Sequence, residues 1–132
     1  MNPPKKILLV LCVISILLAA CGQKRAQAVS SIESYLTSLV EKKADTLSTC
    51  TCSAWEEQAL IELSSFGNVG TALRDMQCQE AGSDGGYTLV QCRGKIVADY
   101  NGEQQEFALD RRIFRAVLEG GEWRMCGYQA AQ

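Results

Sequence analysis

The apolar positions of this 132-residue chain change their spacing several times, and each change marks an element. Behind Lys5 and Lys6, residues 7–18 are almost wholly apolar. Ala28, Val29, Ile32, Tyr35, Leu36, Leu39 and Val40 then recur at three and four, which predicts an amphipathic helix over residues 27–43. Asp45 is placed to cap a short turn through Leu47. Ser53-Ala54-Trp55-Glu56 has the form of a capping box, and Trp55, Ala59, Leu60, Leu63 and Phe66 give the helix behind it one apolar face. Gly67 and Asn68 supply residues that tolerate positive φ at its end. After Gly70 the period becomes two. A strand is predicted over 72–80, a turn at Ser83-Asp84-Gly85-Gly86, and a long strand over 87–100 with Val90, Cys92, Ile96 and Ala98 on one face. Asn101-Gly102 is a strong hairpin signal, residues 103–118 form the return strand, Gly120-Gly121 turns again, and 122–129 closes an antiparallel meander of four strands.

Register carries further information. Pairing about Asn101-Gly102 sets Ile96 opposite Phe107 and Gly94 opposite Leu109, while pairing about Gly120-Gly121 sets Leu118 opposite Trp123 and Phe114 opposite Gly127. The apolar face of the return strand is odd-numbered at Phe107 and Leu109 but even-numbered at Phe114, Ala116 and Leu118. A regular strand has a side-chain period of two, so a β-bulge is predicted near residues 110–112, bending the sheet.

The apolar run at the start is too short for a membrane span, which needs about 20 residues. With its basic flank it reads as a signal peptide, residues 1–20. The segment Leu18-Ala19-Ala20-Cys21 resembles the lipobox of bacterial lipoproteins at all four positions. That resemblance implies cleavage before Cys21, a diacylglycerol on its thiol, and a protein lipid-anchored to the cell membrane or the outer membrane on the extracytoplasmic side. Each buried methylene is worth about 0.8 kcal/mol, so two or three long chains hold such a protein stably. Gly22 in place of Asp carries no signal for inner-membrane retention, by the same resemblance. Residues 21–27, with Lys24 and Arg25, read as a lipidated tether, and 28–132 as a single domain.

Cysteine usage agrees with export. Of seven cysteines, Cys12 leaves with the leader and Cys21 is the anchor, which leaves Cys50, Cys52, Cys78, Cys92 and Cys126. Pairing about Gly85 sets Cys78 opposite Cys92 on neighbouring strands, within reach of a disulfide. Cys126, in the last strand, has Cys52 or Cys50 as its partner. Cys52 is preferred because it directly precedes the Ser53 cap, which makes Cys50 the spare thiol.

Helices followed by a long, bent antiparallel meander are the element order of the NTF2-like, cone-shaped α+β fold. The opening helix, Val29-x-x-Ile32-x-x-Tyr35-Leu36-x-x-Leu39-Val40-x-Lys42-Lys43-Ala44-Asp45-x-Leu47, resembles the first helix of that family. The likeness covers residues 27–129 and extends to small bacterial lipoproteins with such a domain. It implies a curved sheet wrapped on a helix, with a pocket at the open end of the cone. A cystatin-like helix across a meander is the alternative. Family members include enzymes, transport factors and binding modules, so fold alone does not choose a function.

Composition narrows the chemistry. Without the leader, eleven basic residues face fifteen acidic ones, a net charge of about −4, and no basic patch is interleaved with aromatics, so nucleic acid is not an expected partner. The chain has no histidine, which removes Ser-His-Asp and Cys-His machinery. Cys50-Thr51-Cys52 is not a zinc spacing, and neither a metal nor another cofactor is expected. Asp99, Tyr100, Asp110 and Tyr128 could supply a carboxylate base with tyrosine donors, as in some NTF2-like enzymes, but Asp99 faces away from Ala98 and Tyr100, and Asp110 reads as an ion pair with Arg111 and Arg112. Trp55 and Trp123 read as core or interface anchors. Arg93, Arg111, Arg115 and Arg124 could form a basic stripe for an anionic ligand on adjacent strands, but the acidic balance favours reading them as partners of Glu103, Glu106, Glu119 and Glu122 on a solvated sheet face. The expectation is a noncatalytic binding or accessory module of the cell envelope, with Tyr100 and Tyr128 at a possible pocket. The alternative is an interaction module acting as a homodimer or on an envelope protein through its sheet face, and an enzyme with a carboxylate base comes third.

Overall fold

The computed structural model describes residues 4–132, with side chains from Gly22 onward. Cys21, the expected anchor, and the expected leader lie outside the residues whose side chains are described. Helix α1 (Pro4–Glu41) buries Ala28, Ile32, Tyr35, Leu36, Leu39 and Val40, the face its spacing predicts. It ends on Lys42 at φ 58°, and the Lys43 amide donates back to the Ser38 carbonyl at 2.9 Å, a Schellman closure made without glycine. Residues 22–27, read as a tether, are an exposed helical extension of α1, and Arg25 pairs with Glu80 at 3.4 Å. Among the described residues, no helix is long and apolar enough to cross a membrane.

Helix α2 (Ala44–Thr49) contributes buried Leu47. The chain then touches the far edge of the sheet: Thr51 pairs with Met125 in a parallel bridge, the Cys52 amide donates to the Met125 carbonyl, and the Met125 amide donates to the Cys50 carbonyl, both at 2.8 Å. The Cys52–Cys126 disulfide closes the same junction. This junction explains one departure from the sequence reading. Ser53 does not cap helix α3 (Glu56–Ser65). Its hydroxyl donates to Glu119 Oε1 at 2.8 Å and its amide to Oε2 at 3.1 Å, because the bridge sets it beside the β4–β5 turn. Those bonds hold the Glu119 carboxyl below its ordinary range. The N-cap position is Trp55, with no side-chain cap. At the other end, α3 closes by tight i→i−3 bonds from Phe66 and Gly67, with no left-handed residue at Gly67 or Asn68.

Five strands follow: β1 (Gly70–Asp84), β2 (Tyr87–Tyr100), β3 (Glu103–Ala108), β4 (Arg112–Glu119) and β5 (Glu122–Ala130). The order is β1-β2-β4-β5, and β3 also pairs with β2. The return strand anticipated as one element is thus two, separated by a 3₁₀ turn at Leu109–Arg111. β3 pairs with Lys95–Tyr100 and β4 with Thr88–Gln91, so both segments lie along the same neighbour on either side of the kink. Leu109 is buried in that turn, where the chain changes side-chain phase, while Phe107 before it stays 38% exposed. Ile96 faces Phe107 and Leu118 faces Trp123 as the register predicts. The expected Gly94–Leu109 pair is absent because the β2–β3 ladder ends at Lys95–Ala108. Phe114 faces Tyr128, not Gly127, because β5 carries an extra residue between Met125 and Tyr128. Gly127, at φ 97°, sits in that irregularity, where a Cβ would lie 3.3 Å from the Trp55 ring.

The sheet face against α1 is closed by Val90, Cys92, Ile96, Ala98, Phe114, Ala116 and Met125, and by the Cys78–Cys92 disulfide between β1 and β2. Together the helices, the kink and the bulges make a curved half-cone.

Candidate functional site

The kink leaves a cavity of about 740 Å³ between α1, α3 and the concave side of β2–β5. Its apolar wall comes from Leu36 and Leu39 of α1, Phe66 behind α3, Ile96, Phe107 and Leu109, with Phe114 beneath. Phe66 and Phe107 meet edge to face at 5.9 Å and join the helical layer to the cavity rim.

The polar part is built around Glu62. Ala59, Glu62 and the C-cap Phe66 share one stripe of α3, so the half-buried Glu62 reaches toward the sheet. Its Oε2 accepts from the Tyr35 hydroxyl at 2.8 Å, and its Oε1 accepts from the Tyr128 hydroxyl at 2.6 Å. Burial, then the Glu62 charge and hydrogen bond, push the Tyr35 phenol far above its ordinary value. Burial and the same carboxylate push Tyr128 up to about 12. Both phenols are therefore held as donors. Tyr128 is further held edge-on by Trp55 at 5.5 Å and Phe114 at 6.0 Å, and the Arg112 guanidinium lies over its ring face at 4.2 Å.

Two more charged groups from the sheet line the cavity as an ion pair: Lys95 donates to Glu106 at 2.7 Å. Arg111 and Arg112, carried in by the 3₁₀ turn, complete the rim. Among the described residues, neither arginine pairs with a carboxylate, Asp110 included, which corrects the ion pair read from their adjacency.

Tyr100 and Tyr128 both line the cavity. Asp99 does not: its Oδ1 accepts from the Gly102 amide at 2.6 Å and serves the hairpin turn. Arg124 pairs with Glu122 at 3.0 Å and lies 3.8 Å from Glu119, whereas Arg115 lies over the Tyr87 ring at 5.4 Å. Among the described residues, no cluster of three or more metal-ligating side chains occurs. Cys50 is the free cysteine among them; its thiol donates to the Leu47 carbonyl, and burial pushes it above the ordinary thiol range, which disfavours the nucleophilic thiolate. Tyr35, Glu62 and Arg112 were not anticipated as site residues, and Arg111 was considered only as one of a stripe with Arg93, Arg115 and Arg124. The one sequence signal for Glu62 is an acidic residue on the apolar stripe of an otherwise regular amphipathic helix.

No family model matches the chain, and no curated protein matches it. Solved structures do. A structure of an LEH-like epoxide hydrolase from M. tuberculosis aligns with a TM-score of 0.53 at 14% identity, over 80% of this chain and 85% of that one. The helical cell shape determining protein Pgp2 from Campylobacter jejuni aligns with a TM-score of 0.49 at 10% identity, over 75% of this chain and 38% of that one. At such identities the first likeness is one of fold, and the fold is NTF2-like α+β: helices followed by a curved antiparallel sheet.

Proposed function

We propose that this protein is a lipid-anchored module of the extracytoplasmic envelope that holds a small ligand in the open end of its cone without transforming it. The observation that carries the reading is the state of the cavity's two carboxylates. Both oxygens of Glu62 already accept phenolic protons, and Glu106 is matched to Lys95. A hydrolase, the activity named for one structural neighbour, needs a base free to activate water, and in this cavity each acidic group is engaged in holding the walls together. The volume lies within the roughly 300–1,000 Å³ of small-molecule sites, and the lining combines an apolar wall with polar groups fixed by hydrogen bonds. Export and anchoring rest on the Cys21 motif and on two disulfides, which persist in oxidising compartments.

Native mass spectrometry of the protein purified from an oxidising compartment of its host tests the reading. A monomer carrying one defined small-molecule adduct supports it and weighs the ligand. A ligand-free dimer overturns it in favour of an interaction module working through the sheet.

A further inference from the structure

The rim of the cavity names the ligand's chemistry. Of its charged groups, Lys95 and Glu106 neutralise each other, and Glu62 is taken by Tyr35 and Tyr128. Arg111 and Arg112 remain, with no carboxylate partner among the described residues. Arg112 is exposed but positioned: its guanidinium carbon lies over the Tyr128 ring, 4.2 Å from the centroid, and that ring is in turn held by its hydroxyl bond to Glu62 and by Trp55 and Phe114. A guanidinium held over a ring keeps N–H groups to donate, and its fork can grip an oxyanion with two parallel bonds. Tyr128 stands between the charges, with Arg112 on its ring and Glu62 at its hydroxyl, so an anion bound at the rim is offset from the internal carboxylate. The same cavity has an apolar wall of Leu36, Leu39, Phe66, Phe107 and Leu109.

We propose that the cavity takes a single-chain amphiphile, its oxyanion head on Arg111 and Arg112 and its hydrocarbon chain along the Phe66–Phe107 wall. The inference rests on the binding role proposed above and adds the class of ligand. A neutral apolar ligand of the same size would use the wall and leave both arginines idle.

The test uses the full chain in native membranes and two photoactivatable probes of equal length, a diazirine-bearing twelve-carbon carboxylate and the corresponding alcohol. The expected result is that the carboxylate labels the segment 105–114 about tenfold more than the alcohol, as two charge-assisted hydrogen bonds allow. In Arg111→Gln/Arg112→Gln the preference falls to near unity while labelling by the alcohol persists, which shows that the variant keeps its cavity. Equal labelling by both probes in the wild type overturns the oxyanion inference and leaves the pocket standing. Unchanged preference in the double variant also overturns it. Labelling of the segment by neither probe overturns both the inference and the binding role beneath it.

Discussion

Tyr128 and Glu62 lie 66 positions apart in the chain, and a 2.6 Å hydrogen bond between them ties the last strand to the third helix across the mouth of the cone. Tyr35 adds a second phenol from α1, so one carboxylate joins three elements. Tyr35→Phe keeps the packing and removes one donor to a charged acceptor, at a cost of about 1.5–3 kcal/mol. Glu62→Leu leaves two inward phenols without an acceptor and lowers stability at least as much. Urea unfolding of the two variants reads both losses. A Glu62→Leu protein as stable as wild type would remove the carboxylate from the account of how the cone is held.

Alkaline pH separates these phenols from ordinary ones. Tyr128 rises from 10.0 to about 12 in the folded chain, and Tyr35 rises further. Below the unfolded value of 10.0 both states keep their protons, and the contribution is whole. Above it the unfolded chain ionises first, so stability falls with rising pH until the folded Tyr128 ionises near about 12. Stability measured by urea at stepped pH through this window should fall, and the fall should shrink in Tyr35→Phe/Tyr128→Phe. A fall of the same size in the double variant would assign it to other groups.

The two disulfides differ in what they close. Cys52–Cys126 spans 74 positions and Cys78–Cys92 spans 14. In the chain-entropy account these are worth about 4.5 and about 3 kcal/mol. Cys52→Ala/Cys126→Ala should therefore be the more damaging pair in unfolding experiments, and it also frees the Thr51–Met125 junction that sets Ser53 against Glu119.

Thiol counting tests the anchor. If cleavage before Cys21 removes Cys12, the four cysteines in disulfides leave Cys50 and Cys21 in the mature chain. Titration of the denatured, unreduced protein should find a single thiol when Cys21 carries lipid and two when it does not. Cys21→Ser should release the protein from the membrane fraction.

Gly94, at φ 95°, faces the irregularity of β1 at Asp75, and a Cβ there would strike the backbone carbonyls of Arg74 and Asp75. Gly94→Ala meets both a forbidden conformation and an unyielding neighbour, and should cost upwards of about 1 kcal/mol. Gly85→Ala, also at positive φ but with open space around it, should cost less. Thermal unfolding of the pair compares strain alone with strain plus collision.

How much of this was readable in advance depended on distance along the chain. The helix of Ile32, Tyr35 and Leu39 and the hairpin at Asn101-Gly102 are local patterns, and they formed where local rules put them. The change of phase between Leu109 and Phe114 announced a bend; only its form, a 3₁₀ turn and not a bulge, was new. Ser53 misled because its nearest acceptable partner in sequence, Glu56, lost to Glu119 on the far side of the fold. Glu62 stood out on its apolar stripe, but its partners were unreadable for the same reason. A lone carboxylate on a helix gives no hint of partners 27 and 66 positions away. The chemistry of the cavity is tertiary, and periodicity has no access to it.

The first exposed turns of α1 bear on where such a cavity can work. Residues 22–27 form a helical arm about 9 Å long at 1.5 Å per residue, braced by the Arg25–Glu80 contact. A lipid on Cys21 would thus end in a strut and not a slack cord. The standoff would be short and the tilt restricted, so the cone would sample only the layer of envelope directly above its own bilayer, and whatever it captures would have to arrive at, or leave from, that surface.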